Sequence, residues 1–286
     1  MSGTSVSVLR WRCAGALILL ALAAGPSLGG DLTERLLDDA RDGQLNEFEF
    51  ATAALIAGGI DDECELKGWL DRYLDRREGL LGSLPTSEPR EQWEQIHDAV
   101  HQQLLTGQYD ATASDLRLTL DHGDFNCLSS LAVYLDLCQV CELPVQVWLA
   151  RGHVFLRAPG ESGAIDIEPG TPEWESRAMI RRSGLRRIST VELLGKFFYN
   201  RGVELLKAQQ FAKGIELLRA SLDLDPEDFD ARANLVAGLN NWAVDYLRTG
   251  RYEDAAGLIE QGLFFDPSFA PLITNEQLVR VKRAGR

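Results

Sequence analysis

Residues 123–167 read GDFNCLSSLAVYLDLCQVCELPVQVWLARGHVFLRAPGESGAIDI, and this stretch decides the fold class. It opens with a turn at residues 123–127, and the apolar residues that follow predict a helix from Leu128 to about Cys141. Leu143-Pro144 then ends that helix. Three short runs have the pattern of strands, at residues 145–149, 153–157 and 164–167. A helix followed by three hairpin-linked strands predicts a small antiparallel sheet packed on one helix.

The segment before this stretch, residues 31–115, carries apolar residues three and four positions apart and is therefore predicted to be helical. The amphipathic face is clearest from Leu66 to Leu74, and Pro85 and Pro89 mark a loop after it. With residues 116–175 assigned to the core that contains the sheet, the chain is predicted to have an α+β fold that is mostly α.

The C-terminal region, residues 190–286, contains an internal repeat, in which Pro226 and Pro267 are 41 positions apart. Each proline closes an apolar helix, and matching positions carry a small residue early in the first helix and an aromatic residue at the turn. This pattern resembles the tetratricopeptide repeat, whose hairpins bind peptides or protein partners, with about seven inserted residues. Two hairpins are fewer than the usual three, so we expect neighbouring helices or the core to cap the stack. The alternative is an unrelated pair of helical hairpins.

Three residues of the middle region are candidates for catalysis: Cys127, His153 and Asp166. Cys127 lies just after the Gly-Asp-Phe-Asn sequence and just before the apolar helix, so we expect it in the first helical turn, where unpaired N–H groups and the helix dipole stabilise a thiolate. His153 and Asp166 lie on consecutive strands, so we expect Asp166 to orient the imidazole and His153 to take the proton of Cys127. The alternative for Cys127 is a buried structural thiol.

The order of these residues resembles the transglutaminase-like, papain-related core, and most closely the SirB1-like branch of that family. The likeness is carried by FNCLSS at 125–130, LPV at 143–145, GHVFL at 152–156 and IDI at 165–167. The resemblance implies a helical segment before the core, here from Phe50 to Leu84, and often tetratricopeptide repeats joined to it. It also implies acyl transfer through a cysteine thioester, although many SirB1-like proteins lack the cysteine.

Two further groups of residues have spacings that could suit a metal site, and in both cases we favour another interpretation. Cys138 and Cys141 share one helix without a second cysteine pair, so core packing is favoured over zinc. Cys64 is expected to pack as well, or to pair with one of them. His97 and His101 are four residues apart, as in zincin helices, but no third ligand follows, and we interpret them as part of a solvated helix face. No cofactor is expected, because no phosphate-binding glycine motif is present.

Composition excludes several classes of partner. The chain has 286 residues, of which 45% are hydrophobic and 25% charged, a normal globular composition. Its formal net charge is −14, which opposes binding to nucleic acid or to anionic lipid. The remaining partners are peptides and proteins, which the repeats would bind.

The first thirty residues have the pattern of an export signal. Arg10 and Arg12 precede a run of apolar residues from Cys13 to Ala24, and small residues follow Pro26. This run is shorter than the roughly twenty residues that span a bilayer. We therefore expect a cleaved signal peptide at residues 1–30 and a periplasmic or extracellular protein, with a retained membrane anchor as the alternative.

Together these features predict an exported, bacterial-type cysteine enzyme, a peptidase or a transglutaminase-like acyltransferase, with a protein-binding tail. The alternative is a catalytically inert core that serves as an interaction scaffold. A reactive Cys127 favours the enzyme, and an inert Cys127 favours the scaffold.

Overall fold

The computed structural model describes residues 30–84, 89–150, 152–160, 163–172 and 184–284. The predicted signal peptide, apart from Gly30, lies outside these ranges. Within them, no helix combines the length and the apolar character that crossing a membrane requires.

The protein is mostly helical with one small antiparallel sheet, as predicted. The helices before the sheet are α1 (Asp31–Asp39), α2 (Phe50–Ala57), α3 (Glu63–Ser83), α4 (Pro89–Gln103), α5 (Leu116–His122) and α6 (Cys127–Val140), with a 3₁₀ turn at Ala40–Asp42. The strands are β1 (Gln146–Ala150), β2 (His153–Gly160), β3 (Gly163–Ile167) and β4 (Arg186–Ile188). The helices after the sheet are α7 (Thr190–Lys207), α8 (Phe211–Leu224), α9 (Phe229–Arg248), α10 (Tyr252–Phe265) and α11 (Ala270–Ala284).

Helix α6 is the centre of the N-terminal core. Eleven consecutive residues, Leu128 to Cys138, are buried, because β2 packs on one side of the helix and α2 and α4 pack on others. A helix that is apolar on all sides is stable in water only when it is surrounded in this way. The position of α6 therefore determines where its first residue, Cys127, lies.

The sheet has the strand order β3-β2-β1-β4. The three predicted strands are present, and β2 extends to Gly160, three residues beyond its predicted end. Strand β4 was not predicted, since its three residues begin with two arginines and show no apolar alternation. It pairs with β1 through Trp148 and Arg187, which ties the sheet to the start of the C-terminal helices.

The C-terminal helices form two successive hairpins, α7 with α8 and α9 with α10. In the first hairpin the helices approach closely, because a Cβ atom on Gly202 would lie 3.0 Å from the carbonyl oxygen of Gly214. The positions that the repeat aligns with these glycines are Ala243 and Ala255, and both are fully buried. Small residues at both crossings allow the helix backbones to pack closely.

Both ends of the two-hairpin stack are covered. Helix α11 packs against α9 and α10 at one end. At the other end, α7 packs against α2, and the rings of Phe50 and Phe197 meet edge to face with centroids 6.3 Å apart. The buried residues of α7 consequently belong to the same hydrophobic cluster as those of α2 and α6.

Candidate active site

Cys127 is the first residue of α6, as predicted from the preceding turn. Asn126 caps the helix: its side-chain oxygen accepts hydrogen bonds from the backbone N–H groups of Leu128 (2.8 Å) and Ser129 (3.1 Å). The side chain of Ser129 in turn accepts from the backbone N–H of Asn126 at 3.0 Å. This capping box satisfies the neighbouring donors and holds Cys127 at the positive end of the helix.

His153 begins β2 and lies opposite Ala150 at the end of β1. Its side chain lies against that of Cys127 and forms a hydrogen bond with the carboxylate of Glu168. The bond to Glu168 runs from Nε2 to Oε2 and measures 2.6 Å. This leaves Nδ1 as the ring nitrogen available to the thiol, so the imidazole connects a cysteine with a carboxylate.

The carboxylate beside His153 is Glu168, not the predicted Asp166. Asp166 instead lies opposite Arg157 in the β2–β3 pairing and forms a bidentate ion pair with it, with distances of 2.5 and 2.9 Å. Arg157 is four residues from His153, about 13 Å along the strand at roughly 3.3 Å per residue. The expected hydrogen bond between Asp166 and His153 is therefore absent.

Glu168 was missed in the sequence, yet two of its properties suit an orienting group. It is buried, and its oxygen Oε1 has no hydrogen-bond partner among the residues that the structure describes. A buried carboxylate with so few partners depends on the positive charge of a neighbour. The sequence signal for Glu168 is its position two residues after Asp166, since alternate residues of an extended strand point to the same side.

The environment of His153 favours its charged form. Hydrogen bonds from the ring to Cys127 and to Glu168, together with the negative charge of these groups, raise the pKa of His153 to about 10 against the opposing effect of burial. An imidazolium between a thiol and a carboxylate is the arrangement that activates cysteine nucleophiles.

This raised pKa gives the stability of the protein a defined pH dependence. The folded protein keeps a proton on His153 that the unfolded chain releases near pH 6.5, so raising the pH favours unfolding. We expect the stabilising effect of His153 to be complete below about pH 6.5 and to disappear as the pH approaches 10. The free energy of unfolding in urea, measured for the reduced protein and its His153→Gln variant from pH 6 to pH 10, checks this. A difference between the two proteins that stays constant or grows with pH contradicts it.

Cys127 and His153 face a cavity of about 580 Å³. Residues beside α6 and the sheet line one wall: Tyr109, Ala111, Asn126, Leu128, Leu149 and Gly152. The C-terminal helices line another: Lys196, Tyr199, Asn200, Glu227, Asp228, Phe229 and Asp230. The cavity therefore lies between the catalytic candidates and the helical hairpins, and a bound molecule would contact both.

The other cysteines do not contribute to this cavity. All four cysteines that the structure describes are free thiols. Cys138 is buried, as expected, and burial raises its pKa to about 12, which makes it unreactive. Cys141 is half-buried, whereas Cys64 is exposed, so the expectation that Cys64 packs or pairs is wrong.

The two histidines of α4 do not form a solvated face, which corrects that interpretation. His97 is buried and shares a hydrogen bond of 2.7 Å with the hydroxyl of Tyr134. His101 is half-buried, and its Nε2 donates to the carbonyl oxygen of Pro169 at 3.1 Å. Because Pro169 follows Glu168, this bond holds the backbone that carries the carboxylate. No cluster of three potential metal ligands occurs in the described ranges.

Comparison with known proteins assigns the site to no family: no protein-family model, no curated protein and no solved structure matches the chain.

Proposed function

We propose that this chain is a transglutaminase-like cysteine enzyme, similar to the SirB1-like branch, with tetratricopeptide-like hairpins that present a protein substrate to it. The observation that carries the proposal is that the imidazole of His153 lies between the Cys127 thiol at a helix start and the buried carboxylate of Glu168, to which it is hydrogen-bonded. A structural cysteine needs no such partners.

The chemistry follows from these three side chains. The Cys127 sulfur attacks the carbonyl carbon of an amide, and a carbon–sulfur bond forms. His153 donates its proton to the amide nitrogen, the carbon–nitrogen bond breaks, and an amine leaves a thioester on Cys127. Water or a second amine then attacks the thioester and gives a proton to His153, the carbon–sulfur bond breaks, and Cys127 is released as a thiolate beside the imidazolium. Water makes the protein a peptidase, and an amine makes it an acyltransferase. Glu168 keeps the imidazole oriented throughout and stabilises its charged form in the steps where it carries the proton.

The second wall of the cavity supports a polypeptide substrate. Phe229, at the start of α9, is 77% exposed and lines the cavity together with the half-buried Tyr199. An exposed aromatic side chain next to a nucleophile offers a contact for an apolar side chain of a bound peptide. We also propose that residues 1–30 direct export of the protein, so that its substrate lies outside the cytoplasm.

The reactivity of Cys127 tests this proposal. Iodoacetamide should alkylate Cys127 of the reduced protein at pH 6.5 faster than it alkylates Cys64, which is also accessible but belongs to no comparable group of side chains. His153→Ala should lower the rate at Cys127 by about 10-fold, because the imidazolium that stabilises the thiolate is lost. Peptide mass spectrometry resolves the two sites.

Cys64 serves as the internal control, and its rate should be the same in both proteins. If Cys127 reacts no faster than Cys64, or if His153→Ala leaves its rate unchanged, the alternative of an inert scaffold is the better description.

A further inference from the structure

Beside the Cys127–His153–Glu168 group lies a fourth polar side chain, that of Tyr109, with no role in the steps above. Tyr109 lies between α4 and α5 and lines the same cavity as Cys127. Its side chain lies next to both the thiol and the backbone of Cys127. A tyrosine hydroxyl can both donate and accept a hydrogen bond, so from this position it can donate to the sulfur.

The backbone of Tyr109 is anchored to the chain just before α6. Tyr109 and Phe125 form a parallel bridge, with hydrogen bonds from the N–H of Asp110 to the carbonyl oxygen of Phe125 (2.9 Å) and from the N–H of Phe125 to that of Gln108 (3.2 Å). The rings of Tyr109 and Phe125 also meet at nearly right angles, with centroids 6.0 Å apart. The hydroxyl is thus held near Cys127 while 54% of the residue remains exposed to the cavity and solvent.

The backbone N–H of Cys127 differs from the two that follow it. Asn126 accepts hydrogen bonds from the N–H groups of Leu128 and Ser129, whereas the N–H of Cys127 lies beside the Tyr109 side chain. When Sγ attacks a carbonyl, the carbonyl oxygen lies two bonds from the sulfur and becomes negatively charged. Donors that already point at this place lower the barrier to reaction.

We propose that the Tyr109 hydroxyl and the Cys127 backbone N–H together form the oxyanion hole of this site. The inference rests on the proposed function, since it assigns a role in the attack of Cys127 on a carbonyl. In the free protein the Tyr109 O–H donates to the sulfur. As negative charge moves from sulfur to the carbonyl oxygen, the same O–H and the Cys127 N–H donate to that oxygen.

The protonation state of Tyr109 suits this role. Partial burial and the neighbouring Cys127 raise the pKa of Tyr109 above its ordinary value. The hydroxyl therefore keeps its proton at neutral pH and can act as a donor.

The test compares two reactions of the same sulfur in the full chain. Acylation by p-nitrophenyl acetate forms a carbon–sulfur bond at a carbonyl, places negative charge on its oxygen and releases p-nitrophenolate. Alkylation by iodoacetamide displaces iodide from a CH₂ group and places no charge on an oxygen. We expect Tyr109→Phe to lower the acylation rate by about 100-fold, and to leave the alkylation rate within about 3-fold. A Tyr246→Phe variant, outside the cavity on α9, controls for the substitution itself.

Three outcomes overturn the inference. An equal fall in both rates assigns Tyr109 to activation of the thiol instead. An unchanged acylation rate in Tyr109→Phe would show that the hydroxyl has no part in the reaction. A higher acylation rate would show that the hydroxyl obstructs binding of the carbonyl oxygen. Failure of the proposed function is seen separately, in the unmodified protein. There, p-nitrophenyl acetate would not acylate Cys127, and iodoacetamide would alkylate Cys127 no faster than Cys64.

Discussion

Glu168→Gln is expected to lower the rate at which p-nitrophenyl acetate acylates Cys127 by about 100-fold or more. The substitution keeps the size of the side chain and removes its charge. Glu168 is buried and bonded to Nε2 of His153 at 2.6 Å, so the carboxylate requires a proton on Nε2. A carboxamide can instead donate to Nε2, which moves the ring proton to Nδ1 and blocks proton transfer from the thiol.

Asp166→Asn is the matched control, because it makes the same chemical change two residues away. Asp166 contacts Arg157 and not His153. A partly exposed ion pair contributes about 0–1 kcal/mol to stability, so the folded protein should remain intact and its acylation rate should stay within about 2-fold. Equal losses in the two variants, or a larger loss for Asp166→Asn, contradict the assignment of Glu168 as the group that orients His153.

Phe197→Ala should lower the free energy of unfolding by about 3–5 kcal/mol. Phe197 is 2% exposed, and its ring packs on Phe50 of α2 at the contact between the first C-terminal hairpin and the N-terminal core. Removing the ring leaves a cavity where α7 covers the end of the stack. Unfolding in urea, followed by circular dichroism, measures the loss.

The control is Phe264→Ala on α10, which removes the same ring from a position that is 83% exposed. Its effect should be within about 0.5 kcal/mol. If Phe197→Ala costs no more than this control, the hairpins do not depend on the core, and residues 190–286 should fold alone. That result would contradict the expectation that the core caps the stack.

The error at Asp166 shows how turn position limits prediction from sequence. A turn centred on Pro159-Gly160 would place Asp166 directly opposite His153, where it could orient the imidazole as predicted. In the structure Gly160 pairs with Gly163, so the turn lies two residues later and every cross-strand partner moves by four. Ile167 then lies opposite Leu156 at the end of β3, and Glu168, the next residue, reaches His153 with its long side chain.

The errors at Cys64 and His97 have a different origin. Periodicity identifies the apolar side of a helix, but it does not show whether a polar side chain outside that stripe meets solvent or another element. His97 is buried because Tyr134 of α6 provides a hydrogen-bond partner for it. Cys64 is exposed because it lies in the first turn of α3, next to the N-cap Asp62.

The sequence by itself determined the local structure of this protein and two of its candidate catalytic residues. The Asn126 cap and the apolar run after it place Cys127 at a helix start, and strand alternation places His153 at the beginning of β2. These features depend on neighbours a few residues away, which any single sequence displays. Only the tertiary structure decided that Glu168 joins His153, that Tyr109 reaches Cys127, and that the hairpins form a wall of their cavity. Those contacts depend on strand register and helix packing, where a shift of two residues exchanges one carboxylate for another.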